Sequence, residues 1–339
     1  MQLYLDSFGA YLYVRNGMLG VRTRAGGERL FALRDVSAVL LTKGTALSSD
    51  AALLAAEHDI PLLLIDAQTH RPLAQLGTGL PGNIATVRKN QPLFSRAPEG
   101  FQWVASVIAQ KVVRQRALLQ TLAEWPDAPH AYTSDLRVTD RIMAAAEKNF
   151  VAWTPPPTWD AETAAAQAEK FRGQEGTASR VYFQQLARLL EGRMDFASRQ
   201  KRPAYDPFNT VLNYLYGMLY TSVHLSQLKS GLDPYLGILH ADRHGDAPTL
   251  VFDAIEPYRP WADEVAVRLA WSGNLAEDCF EPDLHERGLW LASAGKDLVI
   301  DAMLQFMETS LPHAGRQVRR KVLLDLDMQQ LALRVKAFA

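Results

Sequence analysis

A change of pattern near residue 95 constrains this chain more than any other feature of its sequence. Before it, apolar residues come in short runs broken by turn residues; after it, they recur at helical spacing. Leu3-Tyr4-Leu5 and Ala10 to Val14 are aromatic-rich, strand-like runs separated by Asp6-Ser7-Phe8-Gly9. Asn16-Gly17, followed by Leu19 to Thr23, carries the strongest short-range hairpin signal. A second turn at Gly26-Gly27 leads to Arg29 to Leu33, and Val36 to Leu41 has the continuous apolar character of an inner strand. Ser48-Ser49-Asp50 predicts a cap for a short helix from Ala51 to His58, and Ile60 to Ile65 returns to strand.

After Pro98 the spacing predicts helices. Phe101 to Leu122 places Val104, Val107, Ile108, Val112 and Leu119 on a helical period, with Lys111, Arg114 and Arg116 decorating it. Ser134 to Phe150 is a second helix, acidic early and basic late, as the helix dipole favours. Thr154-Pro155-Pro156-Pro157-Thr158 is a loop before an alanine-rich helix from about Asp160, and the rest is expected to be helices broken by Gly and Pro. The fold class is therefore α+β multidomain. A small β-rich N-terminal domain, 1–95, precedes a larger all-α C-terminal domain, 96–339, in keeping with a length of 339 residues. A single cysteine, Cys279, excludes an internal disulfide and a cysteine-based zinc site, and fits a reducing compartment. No signal-like start or membrane-length apolar run is present, so a soluble cytoplasmic protein is expected.

Local charge is more informative than the net charge of -1. Between Asp253 and Glu286, nine acids face only Arg259 and Arg268, a local balance of -7. Arg193, Arg199, Lys201 and Arg202 form one basic cluster, and Arg316, Arg319, Arg320 and Lys321 another. Basic clusters suit phosphate backbones and clustered carboxylates suit a divalent metal, although each group could equally be a solvated helix face.

Three segments concentrate unusual polar residues. Gly173-Gln174-Glu175-Gly176-Thr177-Ala178-Ser179-Arg180 sets a glutamate between glycines at an expected helix start. Small neighbours would let a ligand or helix come near; alternatively, Glu175 simply interacts with the helix dipole. Leu236 to His240 ends an apolar run in a histidine. His240 and His244 stand four apart, the spacing of zinc ligands on a helix, but the Gly and Pro that follow argue for a loop and make a zinc hydrolase a weak reading. Thr249 to Pro260 places Asp253 and Glu256 three apart among apolar neighbours, followed by Arg259. An acid in such company must be paired or metal-bound. Carboxylates with one imidazole make a mixed O/N set suited to Mg²⁺ or Mn²⁺, which could serve phosphodiester chemistry. The stretch Gly77 to Gly82 lacks the Lys-Ser/Thr of a phosphate-binding loop.

At these residues the sequence resembles the CRISPR-associated endonuclease and integrase of spacer acquisition, the Cas-one family. The likeness runs nearly end to end. It covers Leu3 to Leu12, the Ser48-Ser49-Asp50 turn, Gly82-Asn83 with Arg88 and Gln91, and the Glu175-Gly176 segment. It continues through Tyr205 to Asn209, Leu212 to Gly217, Gly237 to His240 and Asp253 to Pro260. The resemblance implies homodimerisation through the β domains and binding of Mg²⁺ or Mn²⁺ by Glu175, His240 and Glu256, the catalytic set. It makes Asp253 an outer partner or alternative ligand, and Arg259, Arg180 and Asn213 candidates for DNA phosphates. The implied activity is metal-dependent integration of captured double-stranded DNA, in which a 3′-hydroxyl attacks a phosphodiester at the boundary of a CRISPR repeat. The implied partner is a small ferredoxin-like protein, of the Cas-two family, bridging two dimers. Two alternatives share these residues: a branched-DNA repair nuclease and a non-catalytic DNA-binding scaffold.

Overall fold

The Asn16-Gly17 turn folds as its chemistry demands, with both residues at positive φ joining β2 (Tyr11–Arg15) to β3 (Met18–Arg22). The computed structural model describes residues 1–76, 85–240, 247–283 and 288–338. Gly82-Asn83, His244 and Glu286 lie outside the described residues. The N-terminal region adds β1 (Gln2–Leu5), β4 (Glu28–Phe31), β5 (Ala38–Leu41), β6 (Ala46–Leu47), α1 (Ser49–Glu57), β7 (Leu62–Ile65) and β8 (Pro72–Leu76). Ser48 caps α1, its side chain accepting from the Ala51 amide at 3.1 Å.

The strands form two four-stranded sheets, ordered β1-β5-β7-β8 and β4-β3-β2-β6. β1, β5 and β7 run parallel, with Leu40 opposite Tyr4 on one side and Leu63 on the other. All four residues of β5 are buried, because both faces of its sheet are covered. Leu3, Leu5, Val39 and Leu41 pack with Leu12, Leu19 and Ala51, whereas Ala38, Leu40, Leu63 and Ile65 meet Leu225 and Leu228 of the helical region.

The second region begins with α2 (Ala85–Phe94), followed by α3 (Pro98–Ala123), α4 (His130–Val151), α5 (Ala161–Leu190) and α6 (Pro207–Lys229). Then come α7 (Thr249–Ala254), a single 3-10 turn at Glu256–Tyr258, and α8 (Arg259–Ser272). A short hairpin of β9 (Phe280–Pro282) and β10 (Leu289–Leu291) precedes α9 (Ser293–Glu308). A second hairpin, β11 (Ser310–His313) with β12 (Arg316–Arg319), leads into α10 (Arg320–Ala337). The helical expectation for this region therefore holds except at two hairpins. The second turns on Ala314 and Gly315, both at positive φ, which a continuing helix could not accommodate. No helix among the described residues is long and apolar enough to cross a membrane.

The two regions lock together through α6. Gly217 lies against the Thr69 turn so closely that a Cβ would sit 1.9 Å from the Thr69 carbonyl oxygen. Beside it, the Thr221 hydroxyl donates to the His70 carbonyl, and the His70 ring stacks on Tyr4 with centroids 5.3 Å apart.

Candidate active site around Lys111

Glu175 lies in the middle of α5, because the helix runs unbroken from its Asp160 cap to Leu190. That placement removes the reading of Glu175 as a first-turn carboxylate. Gly173 and Gly176 leave open space, with nothing within 4 Å of an added Cβ, so no helix approaches there as the small residues suggested. Instead Phe171, Ala178, Tyr182 and Leu186, at helical spacing from Glu175, bury the face of α5 that carries it and hold the helix in place. Glu175 is therefore only partly exposed, whereas Gly176, Thr177 and Arg180 face outward.

The partner that Glu175 meets is Lys111, on the buried face of α3. The Lys111 ammonium donates to Glu175 Oε1 and to Glu256 Oε2, the latter at 2.6 Å. Its side chain is 6% exposed, against 25% for Glu175 and 11% for Glu256. Ser179 Oγ donates to the same Glu175 oxygen at 2.6 Å, one turn along α5. Arg259 Nε donates to Glu256 Oε1 at 2.7 Å, so Glu256 is held between two cations. Burial opposes the Glu256 carboxylate, but Arg259 and Lys111 outweigh it and bring its pKa down to about 2. Burial likewise opposes the Lys111 ammonium, and Glu175 and Glu256 outweigh it, raising that pKa.

Glu256 reaches this position because α7 ends at Ala254 and the chain tightens into the 3-10 turn, with Pro257 inside it and Pro260 opening α8. Arg114 of α3 seals the turn, donating to the Pro257 carbonyl at 2.8 Å while lying over the Tyr258 and Trp261 rings. Asp253 and Glu256 consequently face different partners rather than forming one acidic pair. Asp253, with its side chain wholly buried, accepts from the Ile238 and Leu239 amides at 2.6 and 3.1 Å and contacts His240 Nδ1 at 2.6 Å.

His240 ends a segment docked from several sides. A Cβ on Gly237 would come within 2.7 Å of the Thr249 backbone, so glycine permits the segment to lie against the start of α7. Thr249 Oγ1 accepts from the Gly237 amide and donates to the Tyr235 carbonyl. Gln91 donates to the Asp233 and Leu236 carbonyls, and Arg172 of α5 donates to Leu239.

The remaining candidates divide. Arg259 is pinned by Glu256 and lies over the Tyr216 ring, 4.6 Å from its centroid. Arg180 is exposed on α5. Asn213 accepts from Arg199 at 2.7 Å, and Arg199 also lies over the Tyr216 ring, 5.0 Å from its centroid. Behind them, Asp263 is fully buried and accepts from Tyr182 at 2.9 Å and Tyr216 at 2.6 Å. Burial raises its pKa to about 6, against the hydrogen bonds from those tyrosines. Sequence reasoning missed Lys111, Ser179, Asp263 and Tyr216 as parts of this centre. Lys111 had a detectable signal: it stands three residues after Ile108 and four after Val107, within the apolar stripe.

The charge clusters of the sequence largely dissolve into separate contacts. Among the nine acids, Glu264 pairs with Arg268, while Asp253, Glu256, Asp263 and Asp283 are buried at different places. Arg193 lies over Trp271 and Arg202 over Trp290, and Arg319 and Lys321 pair with Glu308. Among the described residues, no three His, Cys, Asp or Glu groups converge into one cation-binding cluster. The physical reason is visible: Lys111 occupies the meeting point of two carboxylates, and His240 is turned onto Asp253. The donor chemistry nonetheless fits a hard divalent ion. Two carboxylates already share one cation, and an imidazole held by a carboxylate is the usual arrangement of a metal-ligating histidine.

The sequence profile of the family described as CRISPR associated protein Cas1 matches residues 3–305. A CRISPR-associated endonuclease Cas1 from Rhodospirillum rubrum is 33% identical over 267 residues, covering 74% of this chain and 73% of that protein. In structure, the chain is similar to a casposase bound to integration product, with a TM-score of 0.78, 18% identity and coverage of 99% and 90%. It is also similar to a chain of a Cas6-RT-Cas1–Cas2 complex, with a TM-score of 0.76, 22% identity and coverage of 99% and 35%. An N-terminal β-rich region followed by a mostly helical one is the architecture shared with such structures. The matched profile spans most of the sequence, and on that ground the chain belongs to the Cas1 family.

Proposed function

We propose that this chain is a divalent-metal-dependent DNA integrase and endonuclease of CRISPR adaptation. In this reading it inserts captured double-stranded fragments into the array by 3′-hydroxyl attack at a repeat boundary. The observation that carries it is the joint grip of Glu175 and Glu256 on one buried cation, with Arg259 beside them and an open strip of α5 outside. Glu175, Glu256 and His240 would hold Mg²⁺ or Mn²⁺. Once bound, the ion supplies a lowered pKa for the attacking hydroxyl and charge neutralisation at the phosphodiester.

The protein's own residues prepare the rest. Asp253, fixed by two backbone amides, sets the orientation of the His240 ring. Glu256 and the Tyr216 ring confine Arg259, so its guanidinium is preorganised toward phosphate rather than gathered at the moment of reaction. Arg180, exposed next to the glycine-lined strip, adds backbone contact from outside, and Asn213 acts through Arg199. The region to residue 95 serves dimerisation and the remainder catalysis, with a Cas-two-type protein bridging two dimers. Support for integration comes from the casposase bound to integration product, and support for a Cas-two-type partner from the Cas1–Cas2-containing complex, both of which share the fold.

Strand transfer tests the reading. A supercoiled plasmid bearing a CRISPR repeat, a short duplex with free 3′-hydroxyls and Mn²⁺ or Mg²⁺ are mixed with native protein or His240→Ala, with and without the small partner. Covalent joining that disappears in the variant and with EDTA is expected. Metal-dependent nicking without joining would favour a branched-DNA repair nuclease. A scaffold reading is favoured by the Lys111 contacts to both carboxylates, and DNA binding without chemistry in any metal would establish it.

A further inference from the structure

Lys111 has no place in the chemistry so far, yet it is the residue on which the two carboxylates converge. An ammonium this deeply buried is costly unless paired, and here it is paired twice. With Arg259, the cluster holds two positive and two negative charges, a neutral set in a largely dehydrated place. Adding a divalent ion would leave it two charges positive. The surplus falls to one if the Lys111 ammonium departs, and to zero once a phosphodiester arrives. The two cations also need the same carboxylate lone pairs.

We propose that Lys111 is an internal counter-cation that keeps Glu175 and Glu256 converged while the site is unloaded and is displaced when a divalent metal binds. Its way out is past Glu175, the more exposed of the two carboxylates, toward solvent. There its charge meets the DNA backbone. Lys111 is thus a positioning residue, which makes metal loading weak without DNA and stronger with it. This inference rests on the metal-dependent reading of the site.

The test is DNA-free Mn²⁺ binding, measured by calorimetry on native protein and Lys111→Met. Removing a competing cation should tighten Mn²⁺ about tenfold or more, equivalent to about 1.4 kcal/mol. The metal-free variant should melt lower and gain more in Tm from Mn²⁺ than the native chain does. A variant binding Mn²⁺ equally or more weakly than a metal-binding native protein overturns the counter-cation role alone. Absence of Mn²⁺ binding in both proteins removes the metal site, and this inference with it. Acylation of Lys111 in the native protein, followed by mass spectrometry, keeps the idea testable if the variant does not fold. Saturating Mn²⁺ should raise labelling at Lys111 severalfold, and unchanged or reduced labelling would refute displacement.

Discussion

Two carboxylate centres lie close together in the helical region and are shifted in opposite directions. Glu256 is buried between the cations of Lys111 and Arg259, which hold it ionised with a pKa of about 2. Asp263 is buried more completely, but hydroxyls of Tyr182 and Tyr216 are its hydrogen-bond partners, and its pKa rises to about 6. The difference teaches that burial alone does not mark a functional acid. What separates the two is the charge of the partner and the way out: Glu256 shares its cation with partly exposed Glu175, whereas Asp263 is sealed behind two aromatic rings. The first arrangement can exchange one cation for another; the second can only support the wall behind it.

Breaking the open centre should have the largest effect. Glu175→Ala, His240→Ala and Glu256→Ala are each expected to lower strand transfer on the order of a thousandfold or more, consistent with several kcal/mol of lost charge stabilisation. Dimerisation, followed by sedimentation, should survive all three. Glu256→Ala should also destabilise the metal-free protein by about 3 kcal/mol in urea, because it strips a partner from two buried cations. His240→Ala should not, since Asp253 retains two backbone donors. Equal stability losses in the two variants would dissolve the distinction drawn between cation-held and amide-held acids.

Breaking the sealed centre should affect folding rather than metal binding. Asp263→Ala leaves two buried tyrosine hydroxyls without their acceptor and is expected to cost about 2–4 kcal/mol. That loss should be the same with and without Mn²⁺, measured by urea unfolding. A loss that depended on Mn²⁺ would join Asp263 to the metal-responsive centre.

The sequence discloses this molecule where the determinants are local. Asn16-Gly17, the Ser48 cap and the continuous run in β5 each act within a few residues, and each is found as expected. Less was legible where a residue's role depends on distant chain. Glycines around Glu175 suggested a helix boundary, yet a long helix anchored by buried Phe171, Tyr182 and Leu186 tolerates them, at about 1 kcal/mol each. Arg316 to Lys321 looked like one basic cluster, which hid a strand and the Glu308 contacts that neutralise part of it. Lys111 was read only as decorating its helix, because its partners lie 64 and 145 residues away. The acids show the same limit: Asp253 and Glu256 are three apart, but the end of α7 sends them to different partners.

The smallest effect gives the sharpest reading of the contrast, because it depends on protonation alone. Asp263 is held near pKa 6 in the folded chain against 3.8 ordinarily, so between those values the folded state binds more protons than the unfolded one. Its carboxylate therefore opposes folding most at neutral pH, and that opposition fades as pH falls through 6. Between pH 7 and pH 5 the native protein should gain about 1 kcal/mol relative to Asp263→Asn, which has no proton to take up at this position. Lys111 and Arg199, the charges near Asp263, remain protonated throughout this interval and add no slope of their own. Glu256 works in the opposite sense, with its folded pKa below the ordinary value, so its contribution is lost only as pH falls below about 4.5. Urea unfolding of both proteins at the two pH values separates the cases. A stability difference that stays constant, or moves the other way, would mean that Asp263 is held ionised like Glu256 and that the two centres are one kind after all.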